Sequence, residues 1–158
     1  SYTQECEVAQ RTLEKLAQQR EQLLAVVRDL SEGELERPVD ERWTVRDTLT
    51  HLLNAEEDHC RVIALAVRGD TDRLPPSIDL DGHNNERLAE RGRLERNELL
   101  GALVAQRERT ETLFQRLDQE QLEMPLRHPA LGETTVGKVF RIIALHEKMH
   151  LKEIEAAL

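Results

Sequence analysis

TTVGKVFRIIALHEKMHLKEIEAAL, residues 134–158, places Val136, Val139, Ile143, Ile154 and Ala157 on one stripe when wound at about 100° per residue. Thr134 or Thr135 stands where a helix cap belongs. An amphipathic helix running to the end of the chain is the expectation, and His146 and His150 fall inside its apolar stripe. Two imidazoles spaced i, i+4 on one face can point at a single ion, and the neutral imidazole nitrogen is a good ligand for zinc, nickel or iron. The alternative is a pair of core histidines hydrogen-bonded to neighbours. Each ring would then need its own partner, or cost roughly 1 to 3 kcal/mol per unsatisfied group.

Working back from this helix, three more periodic segments appear. Leu13, Leu16, Leu23, Val27 and Leu30 recur at three- and four-residue steps from about Gln4 to Leu30, which predicts a first helix. SEGELERPVDER, residues 31–42, breaks that pattern with Gly33 and Pro38. A second helix should start at Thr44, which can cap it while Asp47 answers as in a capping box, and should run to about Arg68. Gly69 to Gly82, with Pro75 and Pro76, reads as a long loop of the kind that is often functional. Asn84 or Asn85 opens a third helix carried by Leu88, Leu99, Leu103, Leu113 and Leu117. Asp118 to Glu133, with Pro125, Pro129 and Gly132, reads as an irregular connection without strands.

Four such helices in 158 residues imply one all-α domain spanning 1–158, a four-helix bundle that buries four apolar stripes against one another. The composition agrees: 34% charged and only 3% aromatic residues suit amphipathic helices rather than a β-sandwich. The long connections permit a topology other than up-down-up-down.

A net charge of -9 argues against nucleic acid as a partner, because such binding depends on Lys and Arg neutralising phosphates. No apolar run approaches the ~20 residues of a membrane span, and SYTQECEVAQ lacks the regions of a signal peptide, so a cytoplasmic protein is expected. The chain begins at Ser1 without Met, which leaves its natural start open. Cys6 and Cys60 are expected as free thiols, Cys60 as an inert one on the apolar stripe of the second helix. Surplus apolar positions there, Ala55, Val62, Leu65 and Ala66, suggest a second buried face and hence a homodimer.

His146-Glu147-Lys148-Met149-His150 also matches H-E-x-x-H, in which the Glu is the general base of zinc proteases. Little chain follows His150 to supply a third ligand, so a protease is not expected. Glu147 nonetheless stays a candidate catalytic residue, against the reading of a helix-surface or supporting carboxylate. A third ligand must come from upstream, from His51, Glu56, His59, Asp81, His83 or His128. Periodicity leaves that choice open, since Glu56 and His59 lie nearer the middle of the second stripe than His51.

Trp43-Thr44-Val45-Arg46-Asp47 followed by His51-Leu52, the stretch IDLDGHNNERLAERG at 78–92, and HPALGETTVGKVFRIIALHEKMHLKEI at 128–154 together resemble the DinB/YfiT-like superfamily over nearly the whole chain. That resemblance implies an up-down-down-up four-helix bundle with a divalent metal held by one His of the second helix and two of the fourth. Carried over by position, the ligands are His51, His146 and His150, all present. Members of the superfamily include thiol S-transferases using bacillithiol or mycothiol, a mycothiol-dependent maleylpyruvate isomerase and hydrolase-like proteins. The resemblance therefore implies zinc, nickel, iron or manganese activating a low-molecular-weight thiol or water against a small-molecule substrate. The alternative it leaves open is a helical stress-response or metal-handling protein without turnover.

Overall fold

The apolar stripes fold into four long helices in a computed structural model that describes residues 1–158. In chain order the elements are α1 (Tyr2–Val27), α2 (Glu32–Leu35), α3 (Val45–Arg68), α4 (Leu80–Arg91), α5 (Arg96–Arg116), α6 (Gln119–Leu122), β1 (Pro125–His128), β2 (Gly132–Thr135) and α7 (Val136–Ala157). The bundle is α1, α3, α5 and α7. Each of α1 and α3 packs against both α5 and α7, so α1 faces α3 across a diagonal.

Two core clusters fix the helix directions. One joins the C-terminal halves of α1 (Leu23, Val27) and α7 (Leu151, Ile154) to the N-terminal halves of α3 (Leu49, Leu53) and α5 (Leu99, Leu103). The other joins Leu16 of α1 and Val139, Phe140 and Ile143 of α7 to the late residues Ile63 of α3 and Phe114 of α5. Helices α1 and α7 therefore run one way and α3 and α5 the other, which is the up-down-down-up order. Since α3 and α5 are parallel, the chain must travel back along the bundle between them. Residues 69–95 make that return, with α4 lying on α3.

The structure departs from the sequence reading in three places. The third helix starts at Leu80, before Asn84, and is two helices, broken between Gly92 and Glu95. Gly92 sits at φ 72°, a conformation that favours glycine, and ends α4. Leu88 and Leu99 stand about three full turns apart, so they remain in phase across the break and periodicity cannot detect it. The connection before α7 is not irregular throughout: α6 is followed by an antiparallel hairpin pairing Pro125 with Thr135 and His128 with Gly132. Only Leu126 and His128 of β1 are buried, too short an alternation to signal a strand. Finally, Val62, Leu65 and Ala66, expected to leave a spare apolar face, are buried within the single chain.

Caps behave as the residue types dictate. Thr44 Oγ1 accepts the Asp47 N–H at 3.1 Å while Asp47 Oδ2 accepts the Thr44 N–H at 3.0 Å, a reciprocal box that starts α3. Thr135 caps α7 through the Lys138 N–H. Gly137, in the first turn of α7, lies so close to α6 that a Cβ there would meet the Leu122 carbonyl oxygen at 3.1 Å. No helix is long and apolar enough to cross a membrane.

Candidate metal centre

The capping box fixes where α3 begins, and with it the azimuth of His51 in the second turn. Just upstream, Asp40 Oδ1 accepts the N–H groups of Arg42 and Trp43, both at 2.8 Å, and this turn lays the Trp43 indole against the His51 imidazole with ring centroids 4.7 Å apart. Across the α3–α7 interface, His146 and His150 project from successive turns. His146 Nε2 lies 3.2 Å from His51 Nε2 and 3.0 Å from His150 Nε2. All three ligand atoms fall within 4.8 Å of one another, and they come from His51, His146 and His150.

These separations suit ligands of one ion, although they also fall within hydrogen-bond range. Two imidazole nitrogens bound tetrahedrally to zinc at about 2.0 to 2.1 Å lie about 3.3 Å apart. The protonation pattern agrees. His150 Nδ1–H donates to Glu153 Oε2 at 2.8 Å, so Nε2 is the nitrogen that faces His146. Burial, then the neighbouring His146 and His150, pushes the His51 pKa down to about 3. Burial, then His150, takes His146 to about 4. Both rings are therefore neutral at physiological pH. The donor set is all imidazole nitrogen, which suits a borderline divalent ion and leaves positions for water or substrate.

The other sequence candidates go elsewhere. Glu56 and Glu147, both almost fully buried, meet Arg20 of α1 and Arg107 of α5 in the middle of the bundle. Arg107 grips Glu56 with two hydrogen bonds, Nε to Oε2 at 2.9 Å and Nη2 to Oε1 at 3.0 Å, and reaches Glu147 Oε1 at 3.0 Å. The remaining Nη1 groups donate to backbone oxygens, Arg20 to Leu103 and Arg107 to Leu16. Burial opposes ionisation of Glu56, but the hydrogen bonds and charges of Arg107, with the charge of Arg20, outweigh it and hold its pKa below the ordinary value. Glu147 is buried rather than on the helix surface; its Oε1 belongs to this ionic cluster, and its Oε2 is buried without a hydrogen-bond partner. Asp81 is exposed beside Arg42, and His83 pairs with Asp58 at 2.9 Å. Burial pushes the Cys60 thiol up to about 11, and its Sγ lies 3.3 Å from Thr110 Oγ1.

A cavity of about 160 Å³ adjoins the triad. His51 and His146 form one wall, Ile78, Leu80, Leu131 and Ile142 supply apolar surface, and His59, His128, Asp58, His83 and Asn84 add polar groups. His59 and His128, named among upstream ligand candidates, do not join the triad but pair with each other at 2.9 Å. Periodicity gave no sign of two contacts that matter here, Glu153 with His150 and His59 with His128. Glu153, one turn beyond His150, could have been found by asking which carboxylate reaches a ligand imidazole at i+3. The His59–His128 pairing had no local signal, because it joins α3 to the hairpin.

The sequence matches the model of the DinB superfamily over residues 15–154, and the chain belongs to that superfamily. Among solved structures it is similar to YfiT from Bacillus subtilis, described as a probable metal-dependent hydrolase with an unusual four-helix bundle topology. The TM-score is 0.74 at 16% identity, covering 94% of this chain and 85% of that one. It is also similar to TT2238, a four-helix bundle protein, with a TM-score of 0.62 at 25% identity, covering 94% of this chain and 98% of that one. No curated protein matches the sequence.

Proposed function

We propose that this DinB superfamily protein is a metal-dependent enzyme in which His51, His146 and His150 hold a divalent ion and the adjoining cavity seats a small electrophile for attack by a low-molecular-weight thiol or by water. The observation that carries this reading is the convergence of three imidazole Nε2 atoms, from two helices, at the wall of that cavity. Zinc, nickel, iron and manganese all suit a three-imidazole set. Such an ion, when bound, supplies the Lewis acidity that makes a thiol or water nucleophilic at neutral pH.

The chain's own residues do the rest. Glu153 fixes the tautomer of His150, and Trp43 braces His51. The apolar side chains of the cavity limit water around the electrophile and strengthen polar contacts made there. The description of YfiT supports the water branch. Resemblance to the thiol-using members of the superfamily supports the other.

Metal analysis and turnover test it together. Wild type should carry about one ion per chain, and His51→Ala and His150→Ala little, because removing one of three ligands leaves an incomplete site. Equal metal content in all three would sink the centre. The loaded protein is then offered monochlorobimane with a panel of low-molecular-weight thiols, and separately an activated ester with water alone. Conjugate formation above background selects the thiol branch, and ester hydrolysis the water branch. Bound metal with neither reaction would support the metal-handling alternative instead.

A further inference from the structure

The cavity holds a second pair of histidines that the metal centre does not use. β1 ends at His128, and in the turn that follows the backbone N–H groups of Ala130 and Leu131 donate to His128 Nδ1 at 2.9 and 3.2 Å. A ring nitrogen that accepts two N–H groups carries no proton, so the proton of neutral His128 is on Nε2. That Nε2–H donates to His59 Nδ1 at 2.9 Å. His59 Nδ1 is therefore the acceptor, and the His59 proton is on Nε2. This Nε2 makes no hydrogen bond within the chain, and His59 lines the cavity beside His51 and His146.

We propose that His59 is the hydrogen-bond donor that holds a carbonyl or carboxylate oxygen of the substrate next to the histidine triad, with His128 as the positioning residue that locks its tautomer. The direction is one-way. For His59 Nε2 to act as a base, the proton would have to sit on Nδ1, and His128 would then have to carry its own on Nδ1, where two backbone donors already point. The hairpin thus makes His59 a donor and excludes it as a proton acceptor in its neutral form. Burial keeps both rings neutral, taking His59 to about 3 and His128 to about 4. A neutral imidazole of this kind can polarise an oxygen without bringing a net charge next to a cation. Asp58 and His83, which pair with each other at 2.9 Å, and Asn84 also line the cavity, but His59 is the donor whose direction the hairpin fixes.

The inference rests on the metal reading for the word "substrate", but its chemistry is testable apart from it. Long-range 1H–15N spectra of the metal-free full chain should show His59 as the Nε2–H tautomer, and His128→Ala should turn it into a mixture. Acetate is then titrated into cobalt-loaded protein, followed by the visible spectrum of the ion and by the His59 ring signals. His59→Leu and His128→Ala should weaken acetate about tenfold or more, the loss expected for one hydrogen bond to a charged acceptor. His59→Gln, which keeps a donor, should recover most of it. An Nδ1–H tautomer in wild type, or acetate affinity unchanged in His59→Leu, would overturn the assignment. If cobalt does not bind, the metal reading falls. The tautomer and the acetate-induced shift of His59 then decide this assignment by themselves.

Discussion

Helices α3 and α7 each contribute to two buried polar clusters, and the clusters differ in what completes them. In the middle of the bundle, Glu56 and Glu147 meet Arg20 and Arg107, two negative charges against two positive, between the two halves of the hydrophobic core. Each guanidinium also reaches a backbone oxygen. At the α3–α7 interface, His51, His146 and His150 bring three imidazoles together with their ligand atoms within 4.8 Å of one another. One proton on His146 Nε2 can serve only one of its two neighbours. Burial demands a partner for every polar group. The ionic cluster finds nearly all its partners inside the chain, with only Glu147 Oε2 left buried and unpartnered. The three histidines converge as a group that could hold a cation, which is what sets them apart from the ionic cluster.

The sharpest way to break this comparison is to open the ionic cluster. Arg107→Met leaves two buried carboxylates with one guanidinium, and should cost about 3 to 5 kcal/mol by urea unfolding, the usual penalty for stranding a buried charge. A loss under about 1 kcal/mol would mean the four charges are not mutually dependent. Removing His146 from the metal-free protein, by contrast, should cost less, because no charge is stranded.

Acid separates the two clusters along the pH axis. His51, His59 and His146 have folded values of about 3, about 3 and about 4, below the unfolded value near 6.5, so the unfolded chain binds protons first. Their contribution is complete above pH 6.5 and is lost as pH falls toward the folded values. In metal-free protein this amounts to roughly 0.7 kcal/mol per histidine between pH 7 and 6. Glu56, held below its ordinary range, contributes to acid loss only at lower pH, where unfolded carboxyls begin to protonate. Urea midpoints that stay flat from pH 7 to 5.5 would contradict the assignment of neutral, buried rings.

The smallest effect is a rate. Cys60 touches Thr110, which itself donates to Glu56, so the thiol reports on the edge of the ionic cluster. With its pKa raised to about 11, Cys60 should react with thiol reagents at pH 7.5 at least about tenfold more slowly than exposed Cys6, because the thiolate is the nucleophile. Comparable rates would show that the layer admits solvent.

Much of this was legible without coordinates. The four apolar stripes gave the four long helices. Thr44 with Asp47 gave one start and Thr134 or Thr135 the other, of which Thr135 is the cap, because a cap is a contact within one turn. The i, i+4 spacing placed His146 and His150 on one face. Less visible were features that depend on contacts between distant segments. The break at Gly92 hid behind leucines that stayed in phase. Glu56 and Glu147 looked like possible site residues because the arginines that claim them stand on α1 and α5, far away in the chain. Of the four α3 positions that suggested a dimer, Val62, Leu65 and Ala66 are buried within the chain and Ala55 is partly buried.

By itself, then, the sequence determined which residues share a helix face, since 3.6-residue periodicity and capping are local properties of the backbone. Only the tertiary structure decided which faces meet. The up-down-down-up order sets α7 against α3 and so brings His51 to the histidine pair, while the hairpin carries His128 to His59. It also turns Glu147, between the two ligands in sequence, toward Arg20 and Arg107. Neighbouring residues of α7 point about 100° apart, and what each one meets is set by the helix packed on that side.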